Sequence, residues 1–246
     1  MVIRLDLDRS IASPEIVRTR ISQAPEHETI ILGKYKIKNF PTKLALATAL
    51  LTGCRAKELV NQIPRCEYRE GMNYGIKGTN LEVEEYEGEE FLILNVIVLK
   101  KHLMASSNRT VAIPRKTEYE PFAKMIEDKF IQIGDNPVFP YTRQILSLSA
   151  KQVFNGLKYY IHPYLRFEQG EKMAIEVQGH LRDMAIHSLR HIREEELEDF
   201  YNLEDRQIQS YFKWSNRYMG ISEVMGRYRA RRDWRMYAQK LLKRRT

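Results

Sequence analysis

A chain of 246 residues, 43% apolar and 29% charged, is long enough to bury a sizeable core and too ordinary in composition for disorder. No run approaches the roughly 18 apolar residues of a membrane span, and the N-terminus MVIRLDLDRS lacks the apolar stretch of a secretory signal, so a cytoplasmic protein is expected. The whole net charge of +8 lies in the last 21 residues, where Gly226 to Thr246 hold seven Arg, two Lys and one Asp, an arrangement suited to phosphates or to a solvated helix face. Two cysteines, Cys54 and Cys66, exclude a disulfide framework and are too few for a zinc site, so reduced thiols and no metal are expected.

Taken in chain order, Ser13 and Pro14 read as an N-cap and first-turn pair, and PEIVRTRISQ is predicted to be a short helix followed by a linker, QAPEHE. From Pro41, TKLALATALLTG is an apolar helix ending at Gly53. RAKELVNQI then opens a second helix with Leu59, Val60 and Ile63 facing inward, a helix, tight turn, helix unit. Strand formers in LEVEEYE and EEFLILNVIVLKK flank a turn at Glu87, Gly88 and Glu89, and RTVAIP is a third strand after a polar loop. Beyond Pro114, helices are expected at about 117–132, 148–163, 181–200, 204–213 and from about 231. The fold class is therefore α+β, mostly helical with a small three-stranded antiparallel sheet. Residues 1–35 form a helical segment and linker, 36–230 the main domain, and 231–246 a basic C-terminal helix.

Two segments carry more than packing. In TGCRAKEL, Arg55 follows a helix-ending glycine, and Glu58 lies three residues on, close enough on one helix face to orient a guanidinium. In HSLRH, His187 and Arg190 are i and i+3 on a helix and project from one side. Two arginines and a histidine suit a phosphodiester, whose transition state gathers charge on the non-bridging oxygens. Arginine forks bind such oxygens bidentately and stay charged at any working pH. No metalloprotease, P-loop, dinucleotide-binding or nucleophile-elbow motif competes.

In content and order these segments resemble the tyrosine recombinase, or phage integrase, family over about residues 38 to 230. That family places a first catalytic arginine at a TGxRxxE turn, a lysine on a three-stranded sheet, a histidine and second arginine on an HxLRH helix, then a His or Trp and the nucleophilic tyrosine. The matching residues here are Arg55 with Glu58, Lys100 or Lys101, His187 with Arg190, Trp214, and Tyr228. Trp214 in WSN is similar to the Cre-like branch, where tryptophan replaces histidine. VMGRY at 224–228 favours Tyr228 over Tyr218 as nucleophile, with RYMGI as an insertion, because the usual spacing falls on Glu223.

The resemblance implies a site-specific recombinase acting on double-stranded DNA through a 3′-phosphotyrosyl link, with no cofactor. Arg55 and Arg190 would stabilise the phosphorane. His187 would move a proton or hold the phosphate, Trp214 would donate its indole N–H, Lys101 or Lys100 would protonate the leaving oxygen, and Glu58 would hold Arg55. It implies as partner a homotetramer on DNA that exchanges C-terminal helices, with a monomer in the absence of DNA. A non-catalytic DNA-binding relative and a type IB topoisomerase are the alternatives.

Overall fold

A computed structural model of the chain describes residues 11–62, 74–98, 107–115, 120–161, 164–167, 174–212 and 234–243. The order begins α1 (Pro14–Gln23), β1 (Glu28–Leu32), β2 (Tyr35–Phe40), α2 (Thr42–Thr52), α3 (Ala56–Leu59) and a 3-10 turn (Gly78–Asn80). It continues β3 (Leu81–Tyr86), β4 (Glu89–Val98), β5 (Ser107–Pro114), α4 (Ala123–Ile133), α5 (Arg143–Val153), β6 (Lys158–Ile161) and β7 (Tyr164–Phe167). It ends β8 (Ala174–Val177), β9 (His180–Asp183), α6 (Ser188–Asp199), α7 (Asp205–Phe212) and α8 (Arg235–Leu241). Helices and small antiparallel sheets alternate, an α+β architecture. No described helix is long and apolar enough to cross a membrane.

The core is built around α2. Every residue of α2 except Lys43 is buried, and a helix apolar on all sides must be enclosed on all sides. Helices α1, α4, α5 and α6 pack around it. The helix stops where Gly53 turns left-handed at φ 57°, a conformation glycine adopts without strain. The second helix expected from RAKELVNQI is a single turn. Val60 is already extended, because the N–H groups of Asn61 and Gln62 bond to the carbonyls of Phe139 and Tyr141 instead of continuing the helix. Ile63 lies outside the described residues.

Strands β3, β4 and β5 pair antiparallel in that order, with Leu81 opposite Leu94 and Phe91 opposite Pro114. Glu87 and Gly88 both have positive φ, the twist that closes a two-residue hairpin. Phe91, Leu92, Ile93 and Leu94 are all buried, so both faces of the sheet are covered. Trp234, at the start of α8, lies 5.7 Å from the Tyr86 ring and 5.6 Å from Phe91. The C-terminal helix therefore packs on its own chain, with Tyr237 and Leu241 also buried. Arg231 and Arg232 lie outside the described residues.

Several expected helices come out shorter or as strands. The helix expected at 117–132 is α4, Ala123–Ile133. The one expected at 148–163 is α5, which ends at Val153. Gly156, at φ 80°, turns the chain into β6, where Tyr159, Tyr160 and Ile161 favour a strand. The helix expected at 181–200 begins only at Ser188, because His180–Asp183 pair with Lys158–Ile161. Strands β7 and β8 continue the same register, so a β-ribbon leads into α6. The hairpin of β1 and β2 was not expected at all.

Helix α1 is built into the core. Val17 and Ile21 are fully buried, and Arg18 enters a buried ionic network. Its Nε donates to Glu196 Oε1 at 2.5 Å and its Nη2 to Glu120 Oε2 at 3.0 Å. Arg193 Nη1 donates to both carboxylates, at 3.1 and 2.5 Å, and the Tyr201 hydroxyl donates to Glu120 at 2.9 Å. Burial alone would raise the Glu196 carboxyl, but Arg193 and Arg18 outweigh it and hold it below the usual range. Removing one member leaves a buried charge uncompensated, so Arg18→Ala is expected to lower stability by about 3–5 kcal/mol in urea denaturation.

Candidate functional site

Arg55 is the N-cap residue of α3, immediately after the turn that Gly53 makes possible. Glu58, buried in the first turn, folds back on it. Its Oε2 accepts the Arg55 backbone N–H at 2.9 Å, and its Oε1 accepts Arg55 Nη1 at 3.2 Å. Both oxygens therefore orient Arg55, whose side chain keeps 41% of its surface exposed.

Arg190 arrives from the first turn of α6, 137 residues after Gly53 in sequence. Its Nη1 donates to the Gly53 carbonyl at 2.7 Å and its Nη2 to the Phe212 carbonyl at 3.3 Å. The guanidinium lies 4.5 Å above the Phe212 ring. A third arginine stands behind these two. Arg109, fully buried on β5, donates from Nη1 to the Tyr211 carbonyl at 3.0 Å and from Nη2 to Cys54 Sγ at 3.1 Å. Its Nη2 lies 4.0 Å from Glu58 Oε2, so one carboxylate faces three guanidiniums. The carbonyls that receive Arg190 and Arg109 are those of Gly53, the C-cap of α2, where a helix carries partial negative charge, and of Phe212 and Tyr211, the last described residues of α7.

His187 is exposed at the N-cap of α6. Its ring meets His191 edge-on at 5.2 Å, and His191 stacks at 6.1 Å on Tyr159 from the ribbon. Partial burial, then the charges of His191, Arg190 and Arg55, push His187 below the usual histidine value, so it is neutral at pH 7. Burial, then Arg109 and Arg55, pull Arg190 down to about 10, with Glu58 pulling the other way. Arg190 remains charged at neutral pH, in surroundings that disfavour a further cation and favour an anion. Burial pushes the Cys54 thiol up, so it keeps its proton beside Arg109.

Of the residues singled out in sequence, the structure brings Arg55, Glu58, His187 and Arg190 together. Lys100, Lys101, Trp214, Tyr218, Tyr228 and Cys66 lie outside the described residues. Sequence reasoning missed Arg109, although it shares strand parity with Val111 and Ile113 and so occupies a core position. It also missed Phe212, which supplies a carbonyl and a ring to Arg190. An open depression of about 340 Å³ between α1 and α5, at Arg20, Glu28 and Gln152, shares no residue with this cluster. No protein-family model matches the chain, and neither does any curated protein or solved structure.

Two outcomes are expected. A methyl group at position 53 would meet the Phe212 ring on a backbone held at positive φ, so Gly53→Ala should lower stability by about 1–3 kcal/mol in urea melts and loosen the Arg190 contact. In an NMR titration, His187 should show a pKa below 6.5 that rises when an oxyanion is added. Because the folded value is depressed, the unfolded chain binds this proton first. Stability should therefore fall as pH drops through about 6.5 toward the folded value.

Proposed function

We propose that this chain is a tyrosine recombinase that cuts and rejoins duplex DNA through a 3′-phosphotyrosyl intermediate. The observation that carries the reading is the meeting of the two motif arginines. Arg55 with Glu58, and Arg190 with His187, come from opposite halves of the chain, yet Arg190 bonds to the carbonyl two residues before Arg55. Two guanidiniums and a neutral imidazole, with Arg55 partly exposed and His187 exposed, suit a phosphodiester gaining charge at its non-bridging oxygens.

In this mechanism Arg55 and Arg190 grip the scissile phosphate, and Glu58 fixes Arg55 through both of its oxygens. His187, neutral at pH 7, accepts or relays a proton. Tyr228 attacks phosphorus, forming the O–P bond as the 5′-oxygen leaves, and Lys101 or Lys100 protonates that oxygen. Trp214 donates its indole N–H to the phosphate. The bond energy is kept in the phosphotyrosyl link, so religation by the 5′-hydroxyl requires no cofactor. Strand exchange implies a homotetramer on DNA. Exchange of the C-terminal helix would start from α8 docked on its own sheet.

The test is incubation with nicked suicide DNA and denaturing gel analysis. Wild type and Tyr218→Phe should form a covalent adduct, while Tyr228→Phe and Arg190→Ala should lose it by at least about 100-fold. Binding without any adduct would favour a non-catalytic DNA-binding relative. Relaxation of supercoils without strand exchange would favour a type IB topoisomerase.

A further inference from the structure

The chemistry above leaves Arg109 unused. The register of β5 pairs it with Val96 and sets it on the face of Val111 and Ile113, where an apolar side chain would bury without penalty. Two other buried arginines, Arg18 and Arg193, are matched charge for charge by Glu120 and Glu196. Arg109 is not. Its two donors go to a carbonyl and to a protonated thiol, and its Nε finds no hydrogen-bond partner among the described residues. The carboxylate it faces, Glu58, stands 4.0 Å away with both oxygens already engaged by Arg55. What Arg109 adds at this position is positive charge, directly behind Arg55 and Arg190.

We propose that Arg109 is a charge-setting and positioning residue of the phosphate site, which biases that site toward a doubly charged phosphorane over a singly charged phosphodiester. The proposal rests on the recombinase reading. A fixed cation attracts a dianion twice as strongly as a monoanion at the same distance, so a buried charge that never touches DNA acts on the chemical step beyond its effect on binding. Arg109 also positions. By holding the Tyr211 carbonyl next to the Phe212 carbonyl that Arg190 uses, it fixes the last described turn of α7, which precedes Trp214 in sequence.

The variants Arg109→Met, which removes the charge at similar volume, and Arg109→Lys, which keeps it, test this in the full chain. Three quantities are measured: the rate of covalent adduct formation on suicide DNA at saturating protein, the Kd for the same DNA, and the Kd for tungstate, a tetrahedral dianion. At saturation Arg109→Met should react about 30-fold more slowly, the effect of one unit charge at roughly 8 Å in a protein interior. Arg109→Lys should recover to within about fivefold of wild type, and tungstate affinity should follow the same order. A folded Arg109→Met that reacts within about threefold of wild type, or an Arg109→Lys no better than Met, overturns the proposal. If wild type binds DNA but forms no adduct, the recombinase reading fails. Tungstate then decides for Arg109, retained binding in Lys with loss in Met supporting it and equal binding in both overturning it. If Arg109→Met loses its near-ultraviolet circular dichroism, Arg109→Lys alone decides, with a tungstate Kd within about threefold of wild type required. Failure of wild type to bind tungstate also overturns the proposal.

Discussion

The backbone carbonyl oxygens of Gly53, Tyr211 and Phe212 hold the arginines around which the site is arranged. A carbonyl oxygen has two lone pairs to offer, and a guanidinium fork supplies donors that reach two carbonyls at once. Arg190 bridges Gly53 and Phe212 in this way, and Arg109 takes Tyr211. Backbone dipoles satisfy the hydrogen bonds of a cation without cancelling its charge. The arrangement therefore fixes the guanidiniums in place, and these bonds leave their positive charge intact. Gly53 is central to it, since its left-handed turn ends α2, aims a carbonyl at Arg190 and leaves room for the Phe212 ring.

One turn further along α6 the same residue type does the opposite. Arg193 and Arg18 face Glu120 and Glu196, and the charges cancel inside the protein. Tyr211 links this network to the site. Its hydroxyl accepts from Arg193 Nε and donates to the Leu51 carbonyl, while its own carbonyl receives Arg109. The network thus pins α6 against α2 and α7 and sets the position from which Arg190 reaches Gly53. The N-terminal helix takes part through Arg18, so the start of the chain stabilises the helix that carries His187 and Arg190.

Much of the site was legible in local spacing. Glycine after an apolar helix, then Arg55 and Glu58, makes a turn in which the carboxylate folds back on the arginine. That geometry needs only neighbouring residues. The three-stranded sheet followed from strand formers around a tight turn at Glu87 and Gly88. The ribbon was not legible, because Tyr159, Tyr160 and Ile161 are as compatible with a buried helix as with a strand until His180–Asp183 are present to pair with them. Arg109 was overlooked for a related reason. An arginine at the head of RTVAIP reads as a solvated strand end, and nothing nearby in sequence announces the Tyr211 carbonyl and Cys54 thiol that receive it.

The sequence by itself determined the α+β class, the apolar helix α2, its glycine stop and the pairing of Arg55 with Glu58. Each of these depends on residues within a few positions of one another and on composition. Only the tertiary structure decided that Arg190 meets Gly53, that Arg109 stands behind both motif arginines, and that Arg193 and Arg18 are neutralised by Glu120 and Glu196. The physical reason is that a buried charge is defined by its whole surroundings. Whether an arginine serves packing or serves an anion depends on whether carboxylates or carbonyls meet it, and those groups come from the end of α2, from Glu120 ahead of α4, from α6 and from α7, which adjoin only in the folded chain.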